Sequence, residues 1–155
     1  MPPGTGVHPV LNAADIARRI PHQGAMCLLD RVTQWNDTTI VCTASSHRAL
    51  HNPLRANGRL GAACGVEYAA QAMAVHGALL AQSNSAPRMG YLASVRSVEL
   101  LVPRLDDLAG DLTITAERIT GDANNILYRF TVAADGQTLL TGRAAVVLDA
   151  TLLRI

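Results

Sequence analysis

The chain has 155 residues, 49% of them hydrophobic and 16% charged, with a formal charge of +1. That is the size and balance of one compact domain with an ample core, and it excludes a disordered segment. All 13 basic residues are Arg, scattered apart from Arg18-Arg19, so no basic stripe invites nucleic acid, and the lack of lysine excludes Schiff-base chemistry and a P-loop.

Residues 1–11, with three prolines and two glycines, read as an irregular lead-in. Gly4 and Gly6 have no strand before them and carry no phosphate-loop signal. No charged stretch followed by an apolar one marks a leader, so a cytoplasmic location is expected. Cys27, Cys42 and Cys64 form no C-x-x-C pair and fit a reducing compartment. Asn12 to Ile20 predicts a short helix capped by Asn12 and stopped by Pro21. Leu28 to Trp35 and Thr38 to Ser45 predict strands joined by an Asn36-Asp37 turn. Ser46 to Arg59 has no sustained period and reads as a loop. Leu60 to Gln82 is the most helical stretch. It has about the length of a membrane span, but Glu67, Gln71 and His76 lie inside it and small residues dominate, so it reads as a helix buried in a protein core with no membrane span. After a turn at Ser83 to Pro87, strands are expected at Met89–Val102, Asp111–Thr120, Ile126–Ala134 and Thr138–Leu148. Gly121–Asn125 and Asp135-Gly136 supply hairpin turns between the last three. The pattern is α+β: one long helix and an antiparallel sheet of five or six strands, in a single domain over residues 1–155.

Glu67 is the only acid between Asp37 and Glu99, and it stands in an otherwise apolar helix. Gln71 lies four residues on and shares its face. His47 and His51 are in the loop that feeds this helix, where either could meet Glu67 as general base to its general acid. The residues alone leave open a partly exposed helix-edge Glu and two surface histidines. His76 is nine residues from Glu67, about 180° round the helix, and belongs to no shared site. His22, after Pro21 and before a strand, reads as structural. No ligand spacing marks a metal site.

Ile20-Pro-His-Gln-Gly-Ala-Met-Cys-Leu-Leu-Asp-Arg-Val32 resembles the Leu-Pro-His…Leu-Leu-Val-Asp-Arg-Val opening of bacterial 3-hydroxyacyl-acyl carrier protein dehydratases. Gly65-Val-Glu67-Tyr-Ala-Ala-Gln71-Ala-Met-Ala74 resembles their central-helix motif, with the Glu and Gln spacing kept. The likeness covers roughly residues 12–149 and is strongest to the branch found in aryl-polyene pigment clusters, whose loop is similar to Asn52–Arg55 and Gly58–Leu60. It implies a hot-dog fold, a sheet wrapped around one long helix, and a lyase that forms a trans-2-enoyl thioester without metal or cofactor. By the same likeness Glu67 is the acid, His51 the base with His47 second, and Ala62 the amide that binds the thioester oxygen; Gln71 is expected to bind substrate. The family's Gly-His-Phe-Pro-Gly-Arg is replaced here by Leu50-His51-Asn52-Pro53-Leu54-Arg55. The implied partners are an acyl carrier protein with its phosphopantetheine-linked substrate, met by Arg88, Arg96 and Arg104, and a second hot-dog subunit, in a homodimer, a higher oligomer or a heterodimer. A hot-dog thioesterase and a non-catalytic pairing subunit are the alternatives.

Overall fold

The computed structural model describes residues 10–22, 24–81, 91–122 and 125–147. Helix α1 (Ala13–Ala17) opens as its sequence predicts. The Asn12 side chain accepts from the Asp15 amide at 2.9 Å while the Asp15 carboxylate accepts from the Asn12 amide at 3.2 Å, a reciprocal cap that satisfies two amides no helical carbonyl can reach. The helix ends three residues before the expected Ile20, yet Ile16 and Ile20 both reach the core.

Strands β1 (Arg31–Trp35) and β2 (Thr39–Ala44) form the first hairpin. The Asn36 side chain makes its turn by accepting from the amides of Thr38 and Thr39, at 2.9 and 2.8 Å. Strands β3 (Tyr91–Leu100), β4 (Leu112–Gly121), β5 (Asn125–Ala134) and β6 (Gln137–Val147) follow. Asp135 and Gly136, at φ 52° and 74°, turn β5 into β6 with the two left-handed residues that suit the twist of a hairpin. Alternation along β5 buries Ile126, Tyr128, Phe130 and Val132 on one face. All pairings are antiparallel, in one sheet ordered β1-β2-β4-β5-β6-β3.

Helix α2 (Gly65–Ala81) lies against β2, β4 and β5, and its side of the sheet holds the core. The helix expected from Leu60 starts later because its lead-in is pinned elsewhere. The Leu60 carbonyl, which a helix would offer to Cys64, accepts from the Leu105 amide at 2.8 Å, and Gly61 is extended at ψ 151°. The Leu60 amide donates to Asp106 at 2.9 Å and the Ala62 amide to the Pro103 carbonyl at 3.2 Å. A tight turn over Ala62–Cys64 then leads into α2. Gly65 lets the helix approach closely: a Cβ on it would stand 2.6 Å from the Leu140 Cδ2, so any side chain there would force Leu140 to shift. His76, in mid-helix, is fully buried and satisfied. Its Nε2–H donates to the Asn36 carbonyl and its Nδ1 accepts from the Tyr128 hydroxyl, both at 2.7 Å. Burial pushes its pKa down and favours the neutral ring.

One long helix seated in an antiparallel sheet is the hot-dog arrangement implied by the sequence motifs. The sheet leaves β3 as an open edge with Leu92, Val98 and Leu100 exposed. Among the described residues no helix is long and apolar enough to cross a membrane, and Cys27, Cys42 and Cys64 are free thiols. The expected lead-in before residue 10, the turn at Ser83–Pro87 and Arg88 fall outside the described residues.

Candidate active site at the start of the long helix

Glu67 occupies the first turn of α2, and a histidine does meet it: the Nε2 of His22 lies 3.1 Å from its Oε1. The two side chains are 26% and 33% exposed, open enough to reach a substrate and sheltered enough to exchange a proton directly. His22 comes from the segment between α1 and β1, not from the loop that precedes α2.

Side chains hold this segment in place, since it has no strand ladder of its own before Asp30, whose amide donates to the Thr43 carbonyl at 2.8 Å. Gln71 is fully buried one turn beyond Glu67. Its Nε2–H donates to the Met26 carbonyl at 2.7 Å and its Oε1 accepts from the Leu28 amide at 2.9 Å. The Cys27 thiol donates to the His22 carbonyl at 3.0 Å. Ser46 donates its hydroxyl to the Leu28 carbonyl at 2.8 Å and accepts from the Tyr68 hydroxyl at 2.7 Å. The expected strand start at Leu28 is lost to these bonds: Leu28 and Leu29 still bury their side chains, but the Leu28 amide and carbonyl are taken by Gln71 and Ser46.

The loop before α2 is fastened the same way. The Asn52 amide group donates to the Ser46 carbonyl and the Tyr68 hydroxyl, at 2.9 and 3.1 Å. Arg55 donates to the carbonyls of Ala49, Gly58 and His47. His47 is fully buried with its Nε2–H on the Leu108 carbonyl at 3.1 Å, and burial lowers its pKa. His51 is exposed beside Leu50, itself 87% exposed, and no hydrogen bond joins it to Glu67. The histidine expected beside Glu67 was His51 or His47; the structure brings His22 there instead.

The Ala62 amide, expected to face a thioester oxygen, is held by Pro103. The Cys64 and Gly65 amides are bonded within the turn, to Gly61 at 3.0 Å and to Ala62. Asp106 braces this lead-in, taking the Leu60 amide and the guanidinium of Arg104. Arg104 holds its carboxyl well below the usual range. Of the arginines expected to meet a carrier, Arg104 is tied to Asp106 and Arg96 stands exposed on β3. Among the described residues no group of His, Cys, Asp and Glu converges as metal ligands would.

The sequence profile of the ApeP-like family, described as ApeP dehydratase, matches residues 14–152. Among solved structures, the dehydratase heterocomplex ApeI:P from Xenorhabdus doucetiae superposes with a TM-score of 0.78 at 23% identity, over 90% of this chain and 97% of that one. A hypothetical thioesterase of Streptococcus pneumoniae, solved with coenzyme A, gives 0.57 at 14% identity, over 76% and 84%. The PaaI protein of the E. coli phenylacetic acid degradation operon gives 0.56 at 16%, over 78% and 79%. These likenesses are of fold. No curated protein matches the chain by sequence. The profile spans nearly the whole chain, including the Ile20-Pro-His22 opening and the Glu67/Gln71 helix: the chain belongs to the ApeP dehydratase family, the aryl-polyene branch of the hot-dog dehydratases.

Proposed function

We propose that the chain dehydrates a 3-hydroxyacyl thioester carried on the phosphopantetheine arm of an acyl carrier protein, with His22 and Glu67 as the working pair. The observation that carries this reading is the 3.1 Å contact between them. Elimination of water moves two protons at neighbouring carbons, so base and acid must lie close together. His22 Nε2 takes the C2 proton, Glu67 gives a proton to the departing C3 hydroxyl, and the C2–C3 double bond forms as water leaves. The proton on Nε2 then crosses to the Glu67 carboxylate and restores both groups. The thioester oxygen gains charge as C2 loses its proton. With the Ala62, Cys64 and Gly65 amides engaged, the amide of Ala63, an exposed residue, is our candidate donor for it. His51 is the second reading for the base; from its exposed loop tip it would serve a site shared with another subunit.

That other subunit is a second hot-dog chain, and the β3 edge is the surface for it. A ten-residue strand with an unpaired edge and exposed Leu92, Val98 and Leu100 invites strand pairing. Three free cysteines fit a reducing compartment, and we place the reaction in the cytoplasm. The test is the intact mass of a 3-hydroxyacyl carrier protein after incubation with the chain, alone and with a copurifying hot-dog subunit. Loss of one water supports the proposal. Loss of the whole acyl group would make the chain a thioesterase, and no change under either condition would make it a non-catalytic subunit.

A further inference from the structure

We infer that Gln71 is the positioning residue that sets His22 against Glu67; this rests on the proposed role of that pair and deepens it. The His22 ring has little else to orient it. Among the described residues its Nδ1 is buried without a hydrogen-bond partner, whereas working histidines are normally fixed by a bond at the second ring nitrogen. Its aim must then come through its own backbone. That backbone is fixed by the Cys27 thiol on the His22 carbonyl, and the residues flanking Cys27 are the two that Gln71 grips, at the Met26 carbonyl and the Leu28 amide.

Gln71 also stands on the same helix face as Glu67, about 6 Å along the axis for four residues. One rigid helix therefore presents the acid and grips the segment that carries the base, and the spacing of the two grips sets the spacing of the pair. A carboxamide suits this position because a single planar group both accepts from one amide and donates to one carbonyl. Being fully buried and engaged at both ends, Gln71 acts on the reaction through His22 and does not touch substrate.

The variants Gln71→Met and Gln71→Glu test this in the full chain, with its copurifying subunit if there is one. Met keeps the volume and removes both bonds. Glu can accept from Leu28 but can donate to Met26 only when its carboxyl is protonated. The His22 ring resonances, assigned with His22→Gln, are followed by NMR through a pH titration, with Glu67→Gln as the reference for a His22 ring that has lost its carboxylate. The Gln71→Met variant is expected to move the His22 signals to those of the Glu67→Gln reference. Its kcat should fall roughly 100-fold, the scale of an ångström-sized misplacement, with KM little changed because no substrate contact is lost. Gln71→Glu should lose activity at high pH and regain it as pH falls. Wild-type His22 signals in Gln71→Met, or in Gln71→Glu at high pH should the Met variant fail to fold, would overturn the inference. A fall confined to KM would overturn it too, by returning Gln71 to substrate binding. The NMR result stands whatever the turnover, so failure of the dehydratase reading, seen as unchanged carrier mass with wild-type chain, is distinguishable from failure of the clamp.

Discussion

Replacing Glu67 by Gln separates the chemistry of the site from its stability. The carboxamide keeps the shape of the carboxyl group and can still hydrogen-bond the His22 Nε2, but it has no acidic proton to give a leaving hydroxyl. The stability change is small: both partners are partly exposed, at 26% and 33%, and solvent-screened pairs contribute about 0.2–1 kcal/mol. For a chain of this size that is a fall in Tm of no more than about 2–4 °C. The catalytic change is larger, because loss of a positioned acid costs about 10²–10⁴-fold in rate, equivalent to roughly 3–5 kcal/mol of barrier at 1.36 kcal/mol per tenfold. The assay follows water loss from a 3-hydroxyacyl carrier protein by intact mass against time, with thermal melts of the same preparations. His22→Ala should show the same split, and His51→Ala should retain turnover. Wild-type turnover in Glu67→Gln would refute the reasoning, as would a Tm fall so large that the pair is shown to be structural. Retained activity in His22→Ala together with loss in His51→Ala would move the base to the exposed loop.

Three further outcomes follow from the packing. Gly65→Ala drives a Cβ to 2.6 Å from Leu140 Cδ2, so overpacking of about 1–3 kcal/mol is expected in urea melts, and Leu140→Val should restore most of it by withdrawing the clashing methyls; a neutral single variant would show that α2 seats less tightly on β6. Tyr68→Phe removes the hydroxyl that joins Ser46 and Asn52 and should cost about 0.5–1.5 kcal/mol, with faster proteolysis in the 46–59 loop as the local readout. His47 and His76 have pKa values lowered by burial, so the unfolded chain binds more protons than the folded one below about pH 6.5. Stability is therefore complete above that pH and falls as pH drops toward the folded-state values; a Tm that stays flat between about pH 7 and 5 would contradict it.

The fold was legible where one period dominates. The alternation in Ile126 to Ala134 and the small-residue run after Leu60 announce a buried strand and a buried helix, and the Asn12, Asn36 and Asp135-Gly136 signals fall on their turns and caps. Boundaries shifted wherever a distant group took a backbone bond that the local pattern could not foresee. The long helix begins at Gly65, not Leu60, because the Leu105 amide, 45 residues away in sequence, takes the Leu60 carbonyl that a helix would offer to Cys64, and Gly61 is held extended at ψ 151°. Strand β1 begins at Arg31, not Leu28, because Gln71 and Ser46 hold Leu28.

The same cause hid the histidine. Proximity in sequence favours His51 and His47 as partners of a residue at the next helix start, and the motif that holds His22 carries nothing local that points to Glu67. Its pairing with Glu67 spans 45 residues and depends on Gln71 reaching the 26–28 segment from the next turn of the same helix. The Ile20-Pro-His22 opening and the Glu67/Gln71 spacing were both visible as motifs, but as separate ones. Geometry joins them, since two side chains four residues apart on one helix face can reach two points of a neighbouring segment that lie a few residues apart. A buried Gln beside a lone helical Glu is therefore a signal in its own right. A carboxamide excluded from water must find backbone to bond, and the segment it finds is then held against the acid.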